Sequence, residues 1–323
     1  MKKLMVIPLV AAGMAAMVGC SKTPVKEAAK NDAINLANLD TAVAPGTDFY
    51  QYACGGWMKN NPLKPEYARF GTFDQLRDNN QEQIRTLIEG LSETPGQEGS
   101  VGQKIGMLFA MGMDSVKLNE DGYAPIKDQL AEINKLGTKD ELTKMVATLH
   151  KEGMAPFFAL YVGADEKNSS MNIVQLYQAG LGMGDRDYYL LEDESSQKMR
   201  EAYKNYITRL FTLIGCSPEQ ADAAVNAIMK IERGIAEVSF SREDLRDSQK
   251  NYNKMSIEDF KAKNDLLNWD VYFESMGMMD IKYLDAKQLS FYEGLSALMK
   301  NTTLDEQKYY LTFNLLSSAA PYL

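Results

Sequence analysis

In the ten residues "ARFGTFDQLR", Ala68 to Arg77, two arginines, an aspartate and a phenylalanine fall close together. Arg69 stands just ahead of Thr72, the expected N-cap of a helix, and Arg77 falls in that helix's second turn. Both guanidiniums could meet an anionic group near the helix N-terminus, where unpaired N–H groups favour negative charge, with Phe73 beside them as an apolar contact. The competing reading is local: Arg77 pairs with Asp74, three residues back at helical spacing, for at most about 0.5 kcal/mol on an exposed surface. Spacing alone favours the local pair.

Other chemistries find little support. His150 is the single histidine of the 323 residues, which removes H-E-x-x-H and every two-histidine metal site from this chain. It follows Leu149 at the end of an amphipathic helix, where a histidine complements the helix dipole. No G-x-S-x-G elbow supplies a nucleophile, and no Walker A sequence occurs. "GLGMGDRDYYL" carries Gly180, Gly182 and Gly184, but the third glycine has the wrong spacing for a dinucleotide loop and no helical pattern follows it. It reads as a turn leaving a hairpin.

The elements that must position these residues are mostly helices. Thr72 with Gln75, Thr138 with Glu141 and Thr303 with Glu306 each form a capping-box pattern. Ser217 followed by Pro218 is a fourth start signal. Apolar residues then recur at helical spacing: Ile84, Leu87, Ile88 and Leu91; Leu142, Met145, Val146 and Leu149; Tyr203, Tyr206, Ile207, Leu210 and Ile214; Val225, Ile228, Ile231, Ile235 and Val238. The exception is residues 157–178, where two β-rich runs flank the turn-forming "DEKNSS" and predict a β-hairpin. The fold class is therefore mainly α, a large multi-helix lobe with a small β-hairpin. "LDEQKYYLTFNLLSSAAPYL" is so apolar, and so free of closing signals, that the lobe is expected to be incomplete at its C-terminus, with apolar surface around Tyr309 to Leu316 left uncovered.

The chain can bury a large core, with 45% apolar residues. Lys2 and Lys3 precede the apolar run "LMVIPLVAAGMAAMVG", which ends in small residues before Cys20 and reads as an export signal too short to span a bilayer. "MVGC" resembles a bacterial lipobox, with Met17 in place of the commoner Leu. Residues 1–19 are thus expected to be a signal peptide, 20–33 a lipid anchor at Cys20 with a flexible tether, and 34–323 the folded body. The formal charge of −9 becomes −11 once the two signal-segment lysines are removed, which argues against nucleic acid as a partner. Only Cys54 and Cys216 then remain, too few for a disulfide framework.

Four segments carry a family resemblance. "PGTDFYQYACGGWMKNNPLKPEYARFGTFDQLRDNN" resembles the opening of the neprilysin and endothelin-converting enzyme family of zinc metalloendopeptidases, "VGQKIGMLFAMGMD" an early helix of that family, "GLGMGDRDYYL" its Gly-Leu-Gly-Leu-Pro-x-Arg-Asp-Tyr-Tyr segment, and "SREDLRDSQKNYNKM" its Arg-x-x-x-Lys-x-Tyr-Asn-x-Met segment. Order and spacing agree from about Ile34 to Leu323. Met183 and Gly184 replace the usual Leu-Pro, and Gly112 stands where many members have a cysteine.

The resemblance implies the N-terminal substrate-cleft segment of an oligopeptide-cleaving zinc metalloendopeptidase. The catalytic zinc domain, with H-E-x-x-H, a glutamate ligand and an Asn-Ala segment, is absent from this chain. It implies no metal in this chain, one zinc ion in the full-length enzyme, and the missing C-terminal catalytic half as a partner. Carried over by position, Arg69 would engage the peptide's carboxyl side, Arg77 and Asp74 would support it, and Phe73 would touch the side chain just past the cut bond. Cys54 would pair with a cysteine beyond Leu323, Gly55 and Gly56 would turn the backbone tightly, and Phe49, Tyr50, Tyr52 and Trp57 would supply buried area. This chain alone is expected to be inactive. The alternative is a non-catalytic helical surface lipoprotein that binds a nutrient or a protein partner.

Either reading places the protein in the cell envelope, facing the periplasm or the cell surface and held in the membrane through Cys20. Mass spectrometry of the membrane-extracted protein is expected to find an acylated Cys20 as the mature N-terminus. An unmodified terminus elsewhere, or release without detergent, would exclude the anchor.

Overall fold

The computed structural model describes residues 34–63, 67 and 69–323, and the chain forms two compact units, Met1–Glu93 and Thr94–Leu323. Sequence patterning marks no boundary between Glu93 and Thr94. Cys20, the signal segment and the tether lie outside the described residues.

The first unit holds a short 3-10 turn, Leu36–Asn38, and two helices, α1 (Phe49–Asn60) and α2 (Thr72–Glu93). Asp48 starts α1, its carboxylate accepting from the Gln51 N–H at 2.9 Å. Gly55 and Gly56 lie inside α1 and make no turn, which corrects the sequence expectation. A Cβ on Gly56 would stand 2.4 Å from the Ala37 carbonyl oxygen, and one on Gly55 2.7 Å from the Asp40 Cβ. Glycine costs a helix about 1 kcal/mol relative to alanine, and here it lets the 3-10 turn lie directly against α1. The aromatics are also less enclosed than expected: Tyr52 and Trp57 are half-buried, whereas Phe49 and Tyr50 are 68% and 67% exposed. No residue of α2 is buried.

The second unit begins with α3 (Val101–Met113), α4 (Ser115–Asp121), α5 (Lys127–Lys135) and α6 (Lys139–Lys151). The strands β1 (Phe158–Asp165) and β2 (Asn168–Gln178) follow, then α7 (Asp187–Leu190), α8 (Glu194–Leu213) and α9 (Pro218–Val238). It closes with β3 (Lys254–Ser256), α10 (Ile257–Lys263), α11 (Trp269–Ser275), β4 (Tyr283–Ala286), α12 (Leu289–Lys300) and α13 (Leu304–Ala319). The capping boxes at Thr138 and Thr303 form as the sequence predicts, and Ser217 adds a third with Gln220.

The hairpin forms with longer strands than the runs 157–162 and 171–178 suggest: β1 and β2 pair antiparallel with Val162 opposite Val174, and of the turn-forming stretch only Glu166 and Lys167 join them. The sheet is larger than the hairpin, in the order β1-β2-β4-β3, with β4 parallel to β2 and antiparallel to β3. β3 and β4, of three and four residues, are too short to show a period, and buried polar groups hold them. Asp165, 1% exposed, accepts from the Tyr252 hydroxyl at 2.8 Å and pairs with Lys254 at 2.7 Å. The Lys254 ammonium, then the Lys167 N–H and the Tyr252 hydroxyl, hold its carboxyl down at about 2. Asp285 accepts from the Asn253 N–H at 2.7 Å and lies 3.0 Å from the Lys287 ammonium. The Tyr-Asn segment singled out by family resemblance is thus a structural knot.

The terminal helix also departs from expectation. Tyr310, Leu311, Phe313, Leu315 and Leu316 of α13 are buried, and α13 packs on α5, α8 and α9. Asp305 and Ser318 stay exposed, but the apolar residues that read as an unfinished surface are core.

α9 and α12 approach closely because glycines receive side chains in both directions. A Cβ on Gly234 would stand 2.4 Å from Leu298 Cδ1, and one on Gly294 2.4 Å from Val238 Cγ1. Gly294→Ala is expected to lower stability by about 1 to 3 kcal/mol in urea unfolding, because overpacking outweighs the gain in helix propensity. An unchanged or raised midpoint would show that the helices separate freely.

Candidate functional site

The arginine segment occupies the approach to α2. The helix starts at Thr72, not after it, so Gly71 takes the cap position and Asp74 becomes the third helical residue. The Asp74 carboxylate reaches back and accepts from the Gly71 N–H at 2.9 Å. The capping partner is therefore Asp74, correcting the pairing of Thr72 with Gln75; the Gln75 amide instead reaches Asn61 at 3.3 Å. A carboxylate near the positive helix end is favoured over a neutral amide, which accounts for the shift by one residue.

Arg77 takes the local arrangement. Its guanidinium lies 3.2 Å from Asp74 and 3.5 Å from Asp78, and sits over the Tyr67 ring at 5.8 Å. The Tyr67 hydroxyl, then Asp74 and Asp78, hold its pKa above the ordinary value. Tyr67 in turn donates to Asp78 at 2.9 Å, its ring meets Phe70 edge-on at 5.1 Å, and Phe70 stacks on Trp57 at 6.0 Å.

This frame leaves two of the four predicted residues projecting. Arg69 is exposed and makes no ion pair among the described residues, and Phe73 is 88% exposed on the first turn of α2. The structure thus joins Asp74 to Arg77 and leaves Arg69 and Phe73 exposed. Sequence reasoning missed Tyr67 and Asp78. Asp78 was findable, one residue after Arg77 and one turn beyond Asp74, whereas the partnership with Tyr67 depends on how the chain turns between them.

In the second unit, His150 sits at the end of α6 as expected but not as a dipole-complementing cation. It is mostly enclosed, with ring contacts to Phe158 at 4.7 Å and Tyr272 at 5.7 Å. Nε2 donates to the Pro156 carbonyl at 3.1 Å, which leaves Nδ1 to accept the Tyr272 hydroxyl at 2.6 Å. Both nitrogens are used and burial holds the imidazole neutral, its pKa down at about 4. Among the described residues no group of three or more His, Cys, Asp and Glu is arranged to hold a metal ion. The donor set present here does not fit a zinc centre. Cys54 and Cys216 are both free thiols.

The glycine segment after β2 is a strap as well as a turn. Residues 179–182 and Gly184, with Phe313 and Asn314 of α13, border a cavity of about 690 Å³ that also touches Glu232 of α9. Tyr310 fastens the strap, donating to the Gly180 carbonyl at 2.8 Å while accepting from the Phe157 N–H at 3.1 Å. Gly180 has φ +95°, open to glycine alone at low cost, and Phe157 itself is held at φ +67°.

The sequence model of Peptidase family M13 matches residues 45–323. The chain belongs to this family. It is 29% identical over 348 residues to endothelin-converting enzyme 1 of Mus musculus, covering 100% of this chain and 44% of the mouse protein. Against the enzyme of Homo sapiens it is 29% identical over 300 residues, 89% of this chain and 38% of the other. Among solved structures it is similar to the Mycobacterium tuberculosis zinc metalloprotease Zmp1 in complex with an inhibitor, with TM-score 0.80 and 25% identity over 90% of this chain and 44% of that one. PepO from Lactobacillus rhamnosis shares the fold at TM-score 0.69 and 20% identity, over 87% of this chain and 44% of that one. The chain spans less than half the length of these family M13 relatives. The resemblance read from the four segments is thus to the family whose model matches.

His150 is unique, so its imidazole gives one unambiguous NMR titration, with an expected midpoint of about 4. Because the folded value lies below the unfolded one of 6.5, stability from this residue is complete above about 6.5 and is lost as pH falls through 4. The loss is at most about 3 kcal/mol. A midpoint near 6.5 would contradict the enclosed geometry.

Proposed function

We propose that this chain is the substrate-cleft segment of a lipid-anchored zinc metalloendopeptidase of family M13 that hydrolyses oligopeptides. The observation that carries the proposal is the family match over residues 45–323, joined to an approach to α2 that presents Arg69 and Phe73 outward. The catalytic zinc ion and its ligands belong to the part of a family-length protein that this chain does not contain, and no chemical step is assigned to residues here.

The roles follow from what each side chain is free to do. Arg69, exposed and without an ion pair among the described residues, is suited to a bidentate grip on a peptide carboxylate. Phe73 offers an apolar face to the adjoining side chain. Arg77, already flanked by two carboxylates, serves with Asp74 to fix the start of α2, so that Arg69 is presented from a rigid base. The exposed apolar residues Leu76 and Leu87 of α2, and separately Val101, Leu108 and Met111 of α3, are proposed to be covered by the remaining half of the enzyme. Cys54 is proposed to find its partner there. Anchoring through Cys20 in the cell envelope stands as part of the same proposal. The family match weighs against the alternative of a purely nutrient-binding or partner-binding lipoprotein.

In a family-length enzyme containing this segment, Arg69→Ala is expected to raise KM chiefly for peptides with a free carboxylate just past the residue that follows the cut bond. Loss of one charge-assisted bond corresponds to about 1.5 to 3 kcal/mol. Amidated peptides should be far less affected. Equal losses for acid and amide would remove Arg69 from the site.

A further inference from the structure

Glu232 lies in the middle of α9, 1% exposed, in a place that lacks what a buried carboxylate ordinarily has. Among the described residues it makes no ion pair. Its partners are two phenols: Tyr189 of α7 donates at 2.6 Å, and Tyr203 of α8 donates to the two oxygens at 2.9 Å each. The Gly182 backbone of the strap also faces it. Tyr310 of α13 is the remaining titratable group that faces it. The cations nearest along α9 are committed elsewhere, Lys230 to Glu306 at 2.7 Å and Arg233 to Glu237 at 3.4 Å and the Tyr189 carbonyl at 3.5 Å. Contrast Asp165, whose equally complete burial is matched by a lysine.

The strap is the lid of this pocket. A Cβ on Gly182 would fall 1.8 Å from the Tyr203 hydroxyl oxygen and 3.2 Å from Glu232 Oε1, so only a bare backbone can lie this close. The next residue is tied to the same centre, the Met183 N–H donating to the Tyr189 hydroxyl at 2.9 Å while that hydroxyl donates to Glu232. The strap that encloses the carboxyl also walls the cavity. Strap closure and dehydration of Glu232 are therefore one event.

Dehydration without a countercharge penalises the ionised form, and burial pushes the Glu232 carboxyl up to about 7, outweighing the Tyr189 and Tyr203 hydrogen bonds that favour the ion. Closed strap and neutral carboxyl favour each other. Opening admits water, returns the group toward its ordinary value near 4.5, and is favoured once the proton leaves.

We propose that Glu232 is a proton-controlled latch: residues 180–184 stay closed over it while its carboxyl is neutral, and open as it ionises. This holds whether or not Arg69 binds peptide, because it concerns the second unit alone.

Amide hydrogen exchange of Leu181 to Gly184 in the full chain, corrected for intrinsic rates, tests it between pH 5 and pH 8. Strap opening is expected to rise by about tenfold or more over this range and to level off above neutrality. Glu232→Gln, which keeps the shape and cannot ionise, is expected to hold the strap closed at every pH. A flat wild-type profile, or an equal rise in the variant, would overturn the latch. Should the variant not fold, infrared spectroscopy of the wild type decides. A protonated-carboxyl band that disappears with the same midpoint as strap opening supports the proposal, and opening without that titration overturns it.

Discussion

The second unit is organised around a helix whose apolar residues are buried. α13 buries Tyr310, Leu311, Phe313, Leu315 and Leu316 on different sides of its axis, so α5, α8 and α9 must surround it. That enclosure has a polar consequence. Tyr310 carries a hydroxyl into the core, and a buried hydroxyl must find partners. It finds them in the Phe157 N–H and the Gly180 carbonyl, one at the entry to β1 and the other just after β2. A single side chain thereby fixes both ends of the hairpin against the helical bundle, and Phe157 is held in a left-handed conformation as part of the same arrangement.

Two buried carboxylates show how burial alone does not decide ionisation. Asp165 has Lys254, a backbone N–H and the Tyr252 hydroxyl, and its charge is stabilised. Glu232 has two hydroxyls but, among the described residues, no cation, and its charge is opposed. The first locks β1 to β3 and gives the sheet its breadth. The second sits under a backbone strap made of glycines, where the conformational cost of change is lowest. The two segments most like family motifs thus end on these two acids, and both do their work through packing and hydrogen bonding around a buried charge or potential charge.

In the first unit the logic is different, because little is buried. Asp74 and Asp78 flank Arg77, Tyr67 bridges back to Asp78, and Phe70 leans on Trp57. These contacts are individually weak at a surface. Their combined effect is positional: they hold the strand of chain carrying Arg69 at the head of α2. The peptide-binding proposal depends on this division between residues that are satisfied and residues that are not.

Local chemistry determined much of this in the sequence itself. The capping boxes at Thr138 and Thr303, the Ser217–Pro218 start and the hairpin around residues 157–178 are short-range patterns, each readable because its partners lie within a few residues. The Arg77–Asp74 pair was legible for the same reason. The tertiary structure alone decided what depends on distant partners: that α13 is core and not exposed edge, that β3 and β4 join the hairpin, that Gly55 and Gly56 serve close packing, and that His150 is neutral. It alone placed Glu232 beneath the strap, fifty residues away along the chain and beside it in space. A glutamate among helical residues looks like a solvated face until the surrounding helices remove its water, and that removal is a property of the assembled fold.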